Sequence, residues 1–358
     1  MIEHRTCSST IVRHADVFGL NVISRVLQFS SYTFDGVILE ILATLYAGGC
    51  VCIPSDAERL NDLAATMNKM SVNWAFMTPS VSRLLSPESV PGLKTLLIGG
   101  EKLKQEDYHR WAQKVRLINV YGPTECCMIC VMNEITSKED DPGKIGCGFL
   151  GTFLVMQNSN QLAPRGTVGE LVIGGPNLAR GYLNDHDKTK AAFLDEPPFL
   201  LNPGVDCKRF YKTGDLVKLD VDGKFEYIGR KDSQVKFRGQ RIEMGEIEQH
   251  LWRTLGGVID IAVQLIVPAD DALNPALIAF IVSNDCADSP EDPRGISLVA
   301  QESCWYEKIA DLCKRMRTLL PQYMTPSMYM PLKTMPVTTS GKNRSKAPAI
   351  HGGRTHHR

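Results

Sequence analysis

The sequence predicts an α/β fold in two domains, and three features of the 358-residue chain support this prediction. Apolar runs alternate with amphipathic segments from about Val26 to Pro123, which is typical of a parallel sheet covered by helices. From Gly169 to Ile242 the pattern changes to short strands separated by turns. The chain is also longer than the size at which a single hydrophobic core usually stops growing, so about two domains are expected.

The predicted elements follow this division. In the first part, strands are expected near residues 75–77, 95–98 and 117–120, and an amphipathic helix near 105–114. Further along, the pair Asp222-Gly223 separates two short apolar runs, which is a strong signal for a β-hairpin. A small α+β domain is expected after a boundary near residues 230–233, and residues 284–297 are expected to form an exposed loop. Its main predicted elements are a helix at about 245–253, strands at 259–267 and 276–282, and a helix at about 306–320.

Composition narrows the classes of function. Lys plus Arg and Asp plus Glu number 40 each, so no overall basic field suggests nucleic acid as a partner. The sequence has no apolar run of the roughly 18 residues that a membrane span requires, and its start lacks the features of a signal peptide. A cytoplasmic location without membrane insertion is therefore the expectation. The eleven cysteines are expected to be reduced thiols, since their density is well below that of a disulfide scaffold.

The segment Asn119–Glu125, which reads Asn-Val-Tyr-Gly-Pro-Thr-Glu, carries the most chemical information. It follows an apolar strand, and Gly-Pro forces a sharp turn at the carboxyl end of the sheet, where α/β proteins bind ligands. Tyr121 offers an aromatic face for a purine, Thr124 a hydroxyl for a phosphate, and Glu125 a hard oxygen ligand for Mg²⁺. Taken alone, the same segment could be a structural turn.

Four further segments follow in order: Gly169–Gly175, Ala179–Leu183, Tyr211–Leu216 and Gly229–Glu243. With the segment around Tyr121, their order and spacing resemble the adenylation (AMP-binding) domains of nonribosomal peptide synthetases, within the superfamily of adenylate-forming enzymes. The resemblance covers about residues 1–345. It implies that residues 1–232 form the C-terminal portion of the large AMP-binding core domain, with parallel sheets and a β subdomain. Residues 233–358 would form the small, mobile C-terminal α+β domain, with a divergent tail from about residue 346.

The resemblance also implies a nucleotide site. Asp215 would accept hydrogen bonds from both ribose hydroxyls, and Arg230 would donate to the same ribose. Outside this motif context, the two residues would more simply form a surface salt bridge or a hairpin contact. Glu125 would bind the metal. The full set of implied nucleotide contacts is Gly100, Glu101, Asn119, Tyr121, Gly122, Thr124, Asp215 and Arg230.

A lysine near the end of the chain is the expected catalytic cation. Thr338–Lys342 matches a family motif, and the Lys342 ammonium would neutralise charge as the amino-acid carboxylate attacks the α-phosphate. Outside the motif, a solvated tail lysine is the simpler interpretation. The segment Asn343-Arg344-Ser345 departs from the usual Val-Asp-Arg, which weakens the assignment of Lys342. Asp232 would be the hinge, and its rotation would present residues 236–239 to a carrier thiol.

Upstream, residues 26–35 resemble the segment that begins the amino-acid pocket of the family, where Asp35 would pair with the substrate ammonium. The alternative is that Asp35 is a helix N-cap. Carried over by position, the remaining pocket residues are apolar or lack a side chain: Gly36, Leu39, Phe76, Leu97, Gly99, Val120, Met128 and Ile129. Such a pocket favours a hydrophobic or aromatic amino acid, because it offers no partner for a polar side chain.

The implied function is ATP-dependent activation of an amino acid as aminoacyl-AMP, followed by transfer to phosphopantetheine on a carrier domain. ATP and Mg²⁺ would be required, and peptidyl carrier and condensation domains would be the partners. The chain begins after the point where relatives have a Ser/Thr/Gly-rich phosphate loop. Turnover is therefore expected to be lower by a factor on the order of 10⁴ or more. An acyl-CoA ligase-like enzyme and an inactive remnant that binds nucleotide or a carrier are the alternatives.

Overall fold

The structure is a computed structural model, and it describes residues 1–158, 161–195, 207–231, 234–237, 240–256, 258–267, 275–283, 305–332 and 335. The chain separates into two compact units, Met1–Asp232 and Ser233–Arg358. Within the described part of the chain, no helix combines the length and apolar character needed to cross a bilayer.

A parallel sheet forms the first part of unit 1. Its strands lie in the spatial order β2-β1-β3-β4-β5, and every neighbouring pair is parallel. The strands are β1 (Arg25–Leu27), β2 (Cys50–Cys52), β3 (Trp74–Met77), β4 (Thr95–Gly99) and β5 (Arg116–Tyr121). This confirms the parallel α/β arrangement predicted from the alternating pattern.

Helices connect these strands, as crossover connections between parallel strands require. Helix α1 (His4–Val17) precedes β1, and the connecting helices are α2 (Gly36–Ile38), α3 (Thr44–Tyr46), α4 (Asp56–Asn61), α5 (Leu63–Lys69), α6 (Pro79–Ser82) and α7 (Gln105–Trp111). A π-helical turn, Leu39–Ala43, joins α2 to α3. The start of α4 is fixed by a capping box, in which the side chains of Ser55 and Glu58 satisfy each other's backbone N–H groups.

Antiparallel strands extend the sheet beyond β5. The strands are β6 (Val131–Ile135), β7 (Lys144–Gly148), β8 (Thr152–Asn158), β9 (Gln161–Leu162), β10 (Val168–Gly174), β11 (Phe193–Asp195), β12 (Arg209–Leu219) and β13 (Phe225–Arg230), with helix α8 (His186–Ala192) before β11. The predicted hairpin at Asp222-Gly223 joins β12 to β13, and Gly223 has φ +79°, a conformation that favours glycine.

Unit 2 has its own hydrophobic core, built on a sheet in the order β16-β17-β18. Its elements are β14 (Gln234–Phe237), β15 (Gln240–Glu243), α9 (Met244–Thr254), β16 (Val258–Ile266), β17 (Ala276–Ser283), α10 (Trp305–Leu319) and β18 (Met328–Leu332). The helix predicted at 245–253 lies within α9. The loop predicted at 284–297 lies outside the described residues.

Strand β5 separates two different environments in unit 1. Because side chains alternate along a strand, Ile118 and Val120 belong to one buried cluster and Tyr121 to another. The first cluster also contains residues of α1, β3 and β4, and the second lies among the antiparallel strands. The carboxyl end of β5 therefore has an apolar side and a side that faces β12 and β13.

Candidate active site

The carboxyl ends of β3, β4 and β5 meet at one edge of the parallel sheet. Gly100 and Glu101 follow β4, and Gly122 to Glu125 follow β5. Glu101 connects two of these ends, because its Oε2 accepts hydrogen bonds from the backbone N–H of Ser80 at 3.1 Å and from its hydroxyl at 2.6 Å. The predicted nucleotide-binding turns therefore lie where parallel sheets commonly bind ligands.

The turn after β5 is closely packed and strained. A Cβ at Gly122 would overlap the Met128 carbonyl oxygen, so only glycine fits beside this part of the chain. Cys127 has φ +57° and Met128 has φ +77°, and the left-handed region is uncommon for residues with a side chain. Two consecutive residues of this kind cost of the order of 1–3 kcal/mol each, and such strain is concentrated at functional sites.

Asp35 and Thr124 are brought together although 89 residues separate them in the sequence. The Thr124 hydroxyl donates to Asp35 Oδ2 at 2.6 Å. Asp35 precedes α2, but its side chain accepts no capping hydrogen bond from that helix, and its backbone is helical rather than extended. Asp35 therefore occupies the N-cap position of α2 without capping that helix through its side chain, and its carboxylate accepts a hydrogen bond from the turn that follows β5.

Next to Asp35, the predicted apolar pocket residues gather in one cluster. Phe76, at 6% exposure, is the most accessible of the predicted side chains there, and Phe34 stacks on its ring at 6.4 Å between centroids. Glycine is needed at positions 36 and 99 because neighbouring atoms leave no room for a side chain. A Cβ at Gly36 would lie 2.6 Å from the Phe76 ring, and a Cβ at Gly99 would lie 2.5 Å from the Val120 carbonyl oxygen. The members predicted from the sequence are Leu39, Phe76, Leu97, Val120, Met128 and Ile129.

On the other side of β5, Asp215 is the centre of a buried hydrogen-bond network. Its side chain is 4% exposed, and Arg230 donates to Oδ1 at 3.0 Å. The Tyr121 hydroxyl donates to Oδ2 at 2.5 Å, and Tyr227 approaches Oδ1 at 3.4 Å. Burial and the adjacent carboxylate raise the pKa of Tyr121 well above its usual value, so the phenol keeps its proton and remains a donor. The network is buried rather than at the surface, and Asp215 lies opposite Arg230 in the β12–β13 hairpin, so the two residues do form the hairpin contact that was the alternative to a ribose site.

Glu125 is held by the segment that follows β10. Its Oε1 accepts a hydrogen bond from the Tyr182 hydroxyl at 2.6 Å, and its carbonyl accepts one from the Ala179 N–H at 2.8 Å. Lys188 lies 5.0 Å from the centre of the Tyr182 ring, which orients that ring by a cation–π contact. Two of the segments singled out in the sequence, around Glu125 and around Tyr182, therefore meet at one carboxylate.

Asn119 is placed differently from the other predicted nucleotide contacts. It is 3% exposed, and its amide donates to the Lys144 carbonyl at 3.3 Å and approaches the Tyr108 hydroxyl at 3.5 Å. Its side chain therefore connects β5 to Lys144 at the start of β7, two strands away in the sheet.

Comparison with known proteins identifies the family of the chain. The family model described as "AMP-binding enzyme" matches residues 1–183, which is just over half of the chain. The chain belongs to the AMP-binding enzyme family. The predicted resemblance is thereby confirmed, and the match contains both Asp35 and the turn from Gly122 to Glu125.

The relatives of this AMP-binding enzyme include large synthetases. The chain is 42% identical over 363 residues to nonribosomal peptide synthetase 4 of Gibberella zeae, and that match covers 98% of the chain but 5% of the relative. The chain thus spans only a small part of the length of the curated relatives it matches. It is similar to one segment of such a protein.

Solved structures also match. A holo nonribosomal peptide synthetase protein containing adenylation and PCP domains, bound to a vinylsulfonamide inhibitor, is 26% identical with a TM-score of 0.71; the match covers 90% of this chain and 52% of that one. The Vibrio cholerae adenylation domain AlmE, in complex with glycyl-adenosine-5'-phosphate, has a TM-score of 0.77 at 23% identity, with coverage of 96% and 62%. The second likeness supports the fold alone, and the predicted fold class is confirmed.

Lys342, Asp232 and Gly239, which were predicted from the sequence as functional positions, lie outside the described residues. Lys236 belongs to β14, and only its backbone is described.

The buried ionisable residues of unit 1 that the sequence analysis did not single out include His14 and Glu40. His14 of α1 is fully buried, and its Nε2 lies 2.7 Å from the Ile129 carbonyl oxygen. Glu40, also fully buried, accepts hydrogen bonds from the N–H groups of Phe29 and Ser30 and from the Ser30 hydroxyl. A lone His in an amphipathic helix and a Glu in an apolar run have no distinctive sequence signal. Only their burial in the structure identifies them as unusual.

Proposed function

We propose that the chain activates a hydrophobic amino acid with ATP, forming aminoacyl-AMP and pyrophosphate, and passes the aminoacyl group to phosphopantetheine on a carrier domain. The observation that carries this proposal is the position of the Asp35 carboxylate, held by Thr124 beside the apolar cluster. A carboxylate at the border of an apolar pocket is suited to an ammonium group, since either charge would be costly to bury unpaired. The rest of an apolar amino acid would then contact the cluster.

The apolar cluster supports the choice of side chain. Its predicted pocket members are all buried and lack a polar side-chain group, so a hydroxyl or charged substrate would lose hydrogen bonds to water without replacement. That loss is worth about 1–3 kcal/mol for a neutral polar group, which corresponds to roughly tenfold to a hundredfold discrimination. Aliphatic and aromatic amino acids are therefore the proposed substrates.

For the nucleotide, we propose that Asp215 and Arg230 bind the ribose. The contacts from Arg230 and Tyr121 fix the Asp215 carboxylate in one orientation, and a carboxylate retains acceptor capacity beyond these contacts. Asp215 is only 2% exposed, so ribose binding to it requires a local opening of the surrounding side chains. Gly100, Glu101, Gly122 and Thr124 would contact the remainder of the nucleotide at the ends of β4 and β5.

The chemistry of Glu125 fits Mg²⁺, because carboxylate oxygen is the ligand type that this ion prefers and Tyr182 already orients the group. Bound there, Mg²⁺ would neutralise phosphate charge. In the reaction, the amino-acid carboxylate oxygen would form a bond to the α-phosphorus while the bond to the pyrophosphate oxygen breaks. We assign the stabilising cation to Lys342 and the hinge to Asp232, with residues 1–232 and 233–358 as the large and small domains.

Amino-acid-dependent exchange of pyrophosphate into ATP tests this proposal. The purified chain is assayed with aliphatic, aromatic and polar amino acids, and the variants Asp35→Asn and Lys342→Ala are assayed in parallel. We expect exchange with apolar amino acids, loss of exchange in Lys342→Ala, and a fall in kcat/KM for the amino acid of about a hundredfold in Asp35→Asn. Asp35→Glu keeps the charge and serves as the matched control.

Each other outcome points to one of the alternatives. Exchange that prefers acids without an amine and ignores Asp35→Asn would indicate an acyl-CoA ligase-like enzyme. Folded protein that binds AMP without any exchange would indicate an inactive remnant. A preference for charged amino acids would contradict the assignment of the pocket.

A further inference from the structure

The turn from Thr124 to Val131 forms one wall of the apolar cluster and is held in a strained conformation. Cys127 and Met128 both have left-handed backbones, and the Met128 and Ile129 side chains belong to the cluster. Left-handed residues with side chains persist only where surrounding contacts over-determine them. The contacts that hold this turn therefore decide where the Met128 and Ile129 side chains lie.

Hydrogen bonds hold this turn on two sides. On the side of β5, the Cys130 N–H donates to the Tyr121 carbonyl at 3.1 Å. On the side of α1, His14 Nε2 lies 2.7 Å from the Ile129 carbonyl oxygen. A carbonyl only accepts, so the Nε2 of His14 carries the proton and donates. The bond joins α1 to the residue that directly follows the strained pair.

Burying a histidine at position 14 costs free energy of folding. The imidazole is fully buried and contacts the rings of Phe18 and Phe149 at 5.4 and 5.8 Å between centroids. Its Nδ1 is buried and has no hydrogen-bond partner among the described residues. An unsatisfied buried nitrogen costs free energy that a phenylalanine here would avoid. The hydrogen bond from Nε2 is what the histidine supplies and an aromatic hydrocarbon cannot.

We propose that His14 is a positioning residue that fixes the Met128–Ile129 wall through its hydrogen bond to the Ile129 carbonyl, and thereby determines which amino-acid side chain the pocket selects. This inference rests on the proposed function for its substrate. It adds a residue of α1, outside the pocket lining carried over by position, to the determinants of specificity.

Two variants of His14 separate the hydrogen bond from packing. His14→Gln can place an amide N–H near the position of Nε2, whereas His14→Phe fills the space without a donor. Ile11→Val is the control, because Ile11 lies on the same helix in the same cluster and its loss of a methylene removes no hydrogen bond. Pyrophosphate exchange is measured with the preferred amino acid and with an analogue one methylene larger.

In His14→Phe we expect KM for the preferred amino acid to rise about tenfold and discrimination between the two amino acids to fall by a similar factor, with KM for ATP unchanged. His14→Gln is expected to restore most of both values, and Ile11→Val, which changes only packing within the cluster, is expected to give a smaller defect than His14→Phe. Equal values in His14→Phe and the parent chain, or equal defects in His14→Phe and Ile11→Val, would overturn the inference.

Amide hydrogen exchange of the peptide spanning residues 124–131 keeps the two proposals distinguishable. If the parent chain shows no pyrophosphate exchange with any amino acid, the proposed function fails, and the positioning role is decided by this measurement. Faster amide exchange in His14→Phe than in His14→Gln and Ile11→Val supports it. The same rate in all three variants contradicts it.

Discussion

The two sides of β5 hold a carboxylate in different ways. On the apolar side, Asp35 is half-buried, and the exposed hydroxyl of Thr124 donates to it. On the other side, Asp215 is buried, with Arg230 and Tyr121 both donating to it. Asp215 is thus held by buried donors in the interior, whereas Asp35 lies at a more accessible border of the apolar cluster. We therefore expect changes around Asp215 to lower stability in addition to any effect on the proposed ribose binding, and changes around Asp35 to affect mainly the binding of the proposed amino acid.

The largest expected effect on stability comes from removing the cation beside Asp215. Arg230→Met leaves a buried carboxylate without its charged partner, so the free energy of unfolding should fall by about 3–5 kcal/mol. Urea denaturation of both proteins measures this change. Lys231→Met is the matched control, because the Lys231 side chain is 63% exposed and its pair with Glu170 should contribute little. Similar effects of the two substitutions would show that the Asp215 network is no stronger than a surface pair.

On the apolar side of β5, the buried His14 should make the free energy of unfolding depend on pH. Burial lowers the pKa of His14 from 6.5 to about 4, so between these values the unfolded chain binds a proton that the folded chain does not. Stability from this group is therefore present above pH 6.5 and is lost as the pH falls toward 4. The difference in unfolding free energy between the parent chain and His14→Gln should shrink by about 3 kcal/mol over this range. A constant difference would contradict the burial of a neutral imidazole.

For Glu40, the free energy of unfolding should depend on pH in the opposite direction, which provides a check on the result for His14. Burial raises its pKa from 4.5 to about 7, against the lowering effect of donors from Ser30, Phe29 and Gln28. Here the folded chain binds the additional proton, so stability from this group is present below pH 4.5 and is lost as the pH rises toward 7. The difference between the parent chain and Glu40→Gln should therefore change by about 3 kcal/mol in the direction opposite to that of His14.

The smallest expected effect on stability is at Thr124. Thr124→Val removes the hydroxyl that donates to Asp35, but the site is exposed, so the free energy of unfolding should change by less than about 1 kcal/mol. KM for the amino acid in pyrophosphate exchange should rise by about tenfold, because one of the contacts that orient the Asp35 carboxylate is lost. Thr124→Ser keeps the hydroxyl and should behave like the parent chain. A large loss of stability in Thr124→Val would remove the contrast with Asp215.

The sequence by itself determined the α/β class, the parallel strands before residue 122, the Asp222-Gly223 hairpin and the family. These features depend on local patterns: the periodicity of apolar residues, turn residues that permit unusual backbone angles, and the order of short motifs. The predicted apolar pocket residues were also found from motif positions, and they lie together in one cluster.

Only the tertiary structure decided which chemical groups meet. The pairs Asp35–Thr124 and Tyr121–Asp215 are separated by 89 and 94 residues, and no local pattern indicates that their side chains form hydrogen bonds. The interior amide of Asn119 and the buried imidazole of His14 were likewise visible only once the strands and helices were packed. Burial and hydrogen-bond geometry depend on neighbours that are distant in sequence, and for that reason the sequence predicts the elements of this site better than their contacts.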